Sequence, residues 1–100
     1  MTTIITRKKE YEFDLKIIGH AGYAAIGSDI VCSAISTLLQ TLVLYLGDEG
    51  ETFSSDIKKG AALVHGKGEK SMIAFNVVME GFTAIANTYP EFVTLKEGAL

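Results

Sequence analysis

Between residues 11 and 17 the chain alternates without a break, with Tyr11, Phe13, Leu15 and Ile17 on one side and Glu12, Asp14 and Lys16 on the other. A period of two belongs to a strand with one dry face and one wet face, so this segment commits the chain to a sheet covered on one side. Residues 2–9 are β-branched and then basic. They read as an edge strand, and Lys8, Lys9 and Glu10 turn a hairpin from it into the strand over 11–19. Small residues with two glycines, Gly22 and Gly27, make 21–28 a loop. Ser28 or Asp29 then caps a helix running to about Leu46, where Gly47 is expected to stop it. At about 100° per residue, Val31, Ile35, Leu38, Leu42 and Tyr45 form its buried stripe.

Gly47-Asp48-Glu49-Gly50 reads as a turn, and 51–59 and 61–66 as two further strands. A second helix is expected over 69–89, with Met72, Phe75, Val78, Met79, Phe82, Ala86 and Tyr89 along one side. Ile73, Val77 and Ala84 fall on its opposite side, so either a partner subunit covers that face or a loop or last strand does. Pro90 ends the helix, and 92–96 can add a short strand. The expected fold is α+β, a two-layer arrangement of one mostly antiparallel sheet and two helices in the order ββαββα(β), as a single domain over residues 1–100.

Composition removes several functions. Apolar residues make up 48% of the chain and charged residues 21%, a globular balance. A net charge of −3 argues against nucleic acid, which wants a basic face. The apolar runs 35–46 and 72–78 are too short or too interrupted to span a bilayer. The first residues lack the basic start and cleavage site of a secretory signal. One cysteine makes no internal disulfide, and no Cys/His cluster has zinc spacing, so no metal or cofactor is expected and the cytoplasm is the natural compartment.

The chemistry lies in Gly19-His20-Ala21 and Asp29-Ile30-Val31-Cys32-Ser33-Ala34-Ile35-Ser36. Cys32 falls in the first turn of a helix, where unpaired amides and the helix dipole stabilise a thiolate and can also donate to an oxyanion. His20 ends the preceding strand, so the loop between them can bring imidazole and sulfur within reach. Each residue taken alone has a plainer reading: an inert buried thiol for Cys32, a surface imidazole for His20, a helix cap for Asp29, an exposed helix serine for Ser36. His65 reads as a solvent-exposed strand residue. Gly66-Lys67-Gly68 is too short for a phosphate loop. Arg7-Lys8-Lys9 reads as a solvated turn, and Asn76, Glu80 and Asn87 as the wet edge of the second helix.

Taken together, Gly19-His20-Ala21, Gly27, Asp29-Ile30-Val31-Cys32, Ala34 and Ser36 resemble the ribosomal-processing cysteine protease family, Prp. The likeness follows the whole chain as a pattern and includes Tyr89-Pro90-Glu91-Phe92-Val93. It implies a cysteine endopeptidase that removes a short N-terminal extension from a large-ribosomal-subunit protein. Cys32 would be nucleophile, His20 general base, Asp29 and Ser36 supporting residues, and Gly19, Gly22 and Gly27 part of the loop that admits peptide. It also implies a homodimer. The segment Gly22-Tyr23-Ala24-Ala25-Ile26 is more apolar than many family loops, which bears on peptide preference. Two other readings stay open: a phage-type relative that processes a capsid or scaffold protein, and a non-catalytic dimeric binding module.

Overall fold

The computed structural model describes residues 1–25, 27–49 and 51–99. Its elements are β1 (Thr2–Lys9), β2 (Glu12–Ile18), α1 (Ile30–Glu49), β3 (Thr52–Lys58), β4 (Ala61–Lys67), α2 (Glu69–Thr88) and β5 (Val93–Ala99). The five strands form one sheet in the order β3-β4-β2-β1-β5. Three neighbouring pairs are antiparallel, and β5 runs parallel to β1 from the pair Thr2–Val93 to the pair Lys8–Ala99. The expected α+β class, two layers and element order are therefore what the chain adopts. The last strand is longer than the sequence indicated, because β1 offers it a full-length edge.

The alternation in β2 is the pattern the core uses. Phe13 and Leu15 are fully buried and Ile17 nearly so, and Ile4 joins them from β1. Both helices pack against this face, through Val31, Ile35 and Leu42 of α1 and Phe75, Val78 and Phe82 of α2. The Phe13 and Phe75 rings stack with centroids 4.3 Å apart and anchor α2 over the centre of the sheet. Gly66, opposite Phe13 in the register, leaves room for that ring: a Cβ there would lie 2.5 Å from it.

Two expectations about α1 are corrected. Its buried face is Val31, Ile35, Leu39, Leu42 and Leu46, and Tyr45 is exposed. Leu38 instead turns toward α2, where a Cβ on Gly81 would meet its methyl group at 2.7 Å. The helix touches both the sheet and α2, so a single stripe centred on the sheet does not describe it. Gly47 also fails to end the helix, which continues to Glu49. A helical glycine costs about 1 kcal/mol relative to alanine, and the complete burial of Leu46 in the core outweighs that.

At 20 residues, with a mean hydropathy of 1.8 over its most apolar 18-residue stretch, α1 is by length and composition long enough to cross a membrane. The apolar run over 35–46 understated it; in this fold its apolar stripe is part of the core. On α2 the second apolar face stands open, with Ile73 60% and Val77 66% exposed. Within the described residues neither a loop nor β5 covers it. His65, expected in solvent, is half-buried on the open face of the sheet. The register sets it opposite Asp14, whose Oδ1 lies 2.7 Å from its Nδ1, and Glu12 Oε1 lies 3.4 Å from its Nε2.

Candidate active site

Asp29 explains why the chain turns from loop to helix where it does. Its Oδ1 accepts the amides of Val31 (3.0 Å) and Cys32 (2.9 Å), which makes it the N-cap of α1. Its Oδ2 accepts the amides of Tyr23 (3.0 Å) and Ala24 (3.4 Å) from the preceding loop. One buried carboxylate thus ties the helix start to the loop that faces it. The Cys32 amide is the main influence holding this carboxyl below its usual range; burial opposes it, and the Ala24 and Tyr23 amides and the Cys32 thiol add to the lowering. Asp29 is therefore ionised at neutral pH, with its charge committed to four backbone donors.

This arrangement corrects the expectation that free first-turn amides serve the sulfur. The Val31 and Cys32 amides are bound to Asp29 Oδ1, and the Ser33 amide donates to the Asp29 carbonyl at 3.0 Å. The donor to Cys32 Sγ comes from the loop after β2: Ala21 N–H, at 3.3 Å. With the Val31, Cys32 and Ser33 amides engaged by Asp29, the donor to the sulfur comes from the loop.

His20 sits at the end of β2, exposed, beside the β3–β4 turn. Gly19 N–H donates to the Gly60 carbonyl at 2.9 Å, which continues the ladder one residue past β2 and fixes where His20 begins. The imidazole lies against Gly60, where a Cβ would come within 3.2 Å of Nε2. Among the described residues the His20 ring makes no direct hydrogen bond to Cys32, but both side chains line one cleft of about 470 Å³. Hydrogen bonds of this kind are often loose before substrate arrives. Ser36 is exposed one turn beyond Cys32 and lines the same cleft, as do Gly19, Gly22 and Gly27. Those three glycines all have positive φ (92°, 73° and 91°), a backbone other residues adopt only with strain. All seven residues singled out from sequence are therefore brought together.

Three features of the site were not read from sequence. Gly60 falls between the two strands read over 51–59 and 61–66 and has a positive φ of 76°; its contact with His20 leaves no signal in the sequence. The amide of Ala21 has no side-chain signature. The Tyr23 ring meets Tyr89 and Phe92 edge-on, at 5.5 Å and 5.3 Å, and clasps the loop to the end of α2. The apolar character of the loop was visible, its docking partner was not.

Gly60→Ala is expected to lower kcat/KM roughly 10-fold, because the new methyl must displace the imidazole by a few tenths of an ångström. The same change strains a left-handed residue by about 1 kcal/mol. Peptide cleavage rates compared with thermal melting separate the two effects; wild-type kinetics would remove Gly60 from the account of the site.

The family model described as cysteine protease Prp matches residues 1–94. The ribosomal processing cysteine protease Prp of Mycoplasma genitalium is 31% identical over 81 residues, which cover 79% of this chain and 82% of that relative. A Streptococcus mutans protein of solved structure is also 31% identical, with a TM-score of 0.72 over 99% of this chain and 93% of that one. The essential ribosomal processing protease Prp of S. aureus, crystallised with a covalently linked product peptide, is 20% identical. Its TM-score is 0.89 over 97% of this chain and 99% of that one, a likeness of fold.

Proposed function

The chain belongs to the cysteine protease Prp family, and from this premise we propose that Cys32 and His20 are its catalytic dyad, cleaving the N-terminal extension from a large-subunit ribosomal protein. The observation that carries the dyad is the position of Sγ: at the start of α1, bonded to a loop amide, in the same cleft as the His20 imidazole. The S. aureus relative with a covalently linked product peptide supports a peptide as the occupant of the cleft. The name of the M. genitalium relative supports a ribosomal target.

In this reading the reaction is acyl transfer. The Cys32 thiolate attacks the scissile carbonyl, and the carbonyl π pair moves onto oxygen. The tetrahedral intermediate collapses as the C–N bond breaks, and His20 gives its proton to the leaving amine. A water then loses a proton to His20, attacks the thioester carbon, and expels Cys32 as thiolate. Asp29 orders the loop and the helix start and stays ionised throughout. Ser36 offers a hydroxyl on the cleft wall one turn from the sulfur.

The working form is a homodimer in the cytoplasm. Its interface is the exposed apolar face of α2, Ile73 and Val77, extended by Leu44 of α1, which is 66% exposed. A lone unpaired cysteine suits a reducing compartment.

The test is to incubate the purified protein with two substrates, a ribosomal protein carrying its extension and a phage capsid or scaffold protein, and to map the cut by mass. Cleavage at the end of the ribosomal extension is expected. Cleavage of the phage protein alone would replace the substrate class, and an intact pair of substrates with an unreactive Cys32 would leave a binding module.

A further inference from the structure

We infer that the backbone N–H of Ala21 is the oxyanion donor of this protease, held in place by Asp29 and by the docked ring of Tyr23. The assignment rests on Cys32 being the nucleophile. Cysteine nucleophiles at helix starts can present their own amide to the developing oxyanion. Here that amide, with those of Val31 and Ser33, is already bound to Asp29. Releasing the Cys32 amide would unseat the cap of α1. The donor that does face the reacting centre is Ala21 N–H, 3.3 Å from Sγ, on a residue only 2% exposed.

The direction of charge flow favours this amide. As the S–C bond forms, negative charge leaves sulfur and the carbonyl π pair settles on the oxygen bonded to the same carbon. A donor already beside sulfur also lies beside the carbon that sulfur attacks, and it is set before the reaction begins. Its position is fixed on both sides. Upstream, Gly19 N–H holds the Gly60 carbonyl. Downstream, Asp29 Oδ2 binds the Tyr23 and Ala24 amides, and the Tyr23 ring lies edge-on against Tyr89 and Phe92. When the tetrahedral intermediate collapses and the C–N bond breaks, the pair returns to the carbonyl; water attack on the thioester places the pair on the same oxygen again, where the same N–H receives it until the C–S bond breaks and thiolate leaves.

Cys32 is the only cysteine, so residues 1–31 can be made as a synthetic thioester and ligated to residues 32–100 at Cys32 itself, leaving no scar. An ester in place of the His20–Ala21 amide, with L-lactate standing for Ala21, deletes this one N–H. Acylation by an extension peptide is expected to fall on the order of 10²- to 10³-fold relative to the all-amide ligated protein. Alkylation of Cys32 by iodoacetamide, a displacement that forms no oxyanion, is expected to stay close to that control. Unchanged acylation overturns the assignment. So does an equal fall in both reactions, which would mean that the N–H serves the thiolate alone. An all-amide control that cleaves nothing would overturn the protease reading itself, and is distinguishable because it involves no ester. A second measurement needs no variant: a peptide aldehyde forms a hemithioacetal on Cys32, and the Ala21 amide proton of the wild-type chain is expected to move downfield and exchange more slowly. An unmoved Ala21 resonance in that adduct also overturns the assignment.

Discussion

Cys32→Ala is expected to keep the fold and to lose peptide cleavage by on the order of 10⁴-fold or more. The asymmetry follows from where the sulfur sits. Cys32 is half-buried at the margin of the core, and its side chain accepts one backbone bond, from Ala21. The α1 contacts that hold the sheet come from Val31, Ile35, Leu39, Leu42 and Leu46, none of which the substitution touches. Alanine is also a better helix former. Removing the thiol therefore costs the fold little and removes the covalent step entirely. Cys32→Ser keeps a hydrogen-bond acceptor near Ala21 but offers a far weaker nucleophile, and only a trace of activity is expected. Single-turnover cleavage assays alongside thermal melts read both quantities. Full activity in Cys32→Ala would end the proposal.

Substitutions at Asp29 are expected to separate its two tasks. Asp29→Ala removes the cap of α1 and the anchor of the loop together, and the melting temperature is expected to drop by roughly 5–10 °C. Asp29→Asn can still accept the Val31 and Cys32 amides through its oxygen. Its NH₂ group then faces the Tyr23 and Ala24 N–H groups, two donors against a donor. The helix is expected to survive while the loop loosens, with kcat/KM falling roughly 10- to 100-fold through misplacement of the Ala21 segment. The pH dependence has a definite sign. Because the folded carboxyl ionises below its unfolded value, its contribution is present above the usual carboxylate range and is lost as the pH falls through the folded value. Wild-type melting temperatures should therefore decline on acidification below about pH 4 more steeply than those of Asp29→Asn. Parallel acid limbs would show that Asp29 gains nothing from its four amides.

What could be read from sequence, and what could not, divides by range. The β2 strand was legible because its alternation is local and the core uses it, with Phe13, Leu15 and Ile17 inward; only Tyr11, ahead of the strand, departs from it and is exposed. The clustering of His20, Asp29 and Cys32 was legible because a strand, a glycine loop and a capped helix leave little freedom in how their ends meet. The face of α1 was misjudged because it serves two neighbours: helical periodicity counts apolar positions but does not say that Leu38 turns to Gly81 of α2 while Leu39 and Leu46 are the buried positions. The length of β5 depends on β1, some ninety residues earlier in the chain, and its own seven residues, with Glu97 and Gly98 among them, hardly announce a strand. His65 looked exposed because nothing within its own strand predicts Asp14 and Glu12 beside it. The side chains singled out from sequence line one cleft, and what lay beyond that reading is backbone or contact: the Ala21 amide, the closeness of Gly60 to the imidazole, and the clasp on Tyr23. A carboxylate three residues before a cysteine signals a helix cap; that the same carboxylate also binds the loop emerges only when the loop is folded against it.

The central claim is that a peptide carbonyl becomes covalently attached to Cys32 in the cleft shared with His20. Mixing the protein with an extension peptide, quenching in acid within a turnover, and measuring intact mass followed by fragment mapping tests it most directly. A transient adduct with the mass of the N-terminal product acyl group is expected on Cys32, disappearing as free product accumulates. Cleavage that proceeds with Cys32 unmodified at every time point, or with the acyl group on another residue, would contradict it.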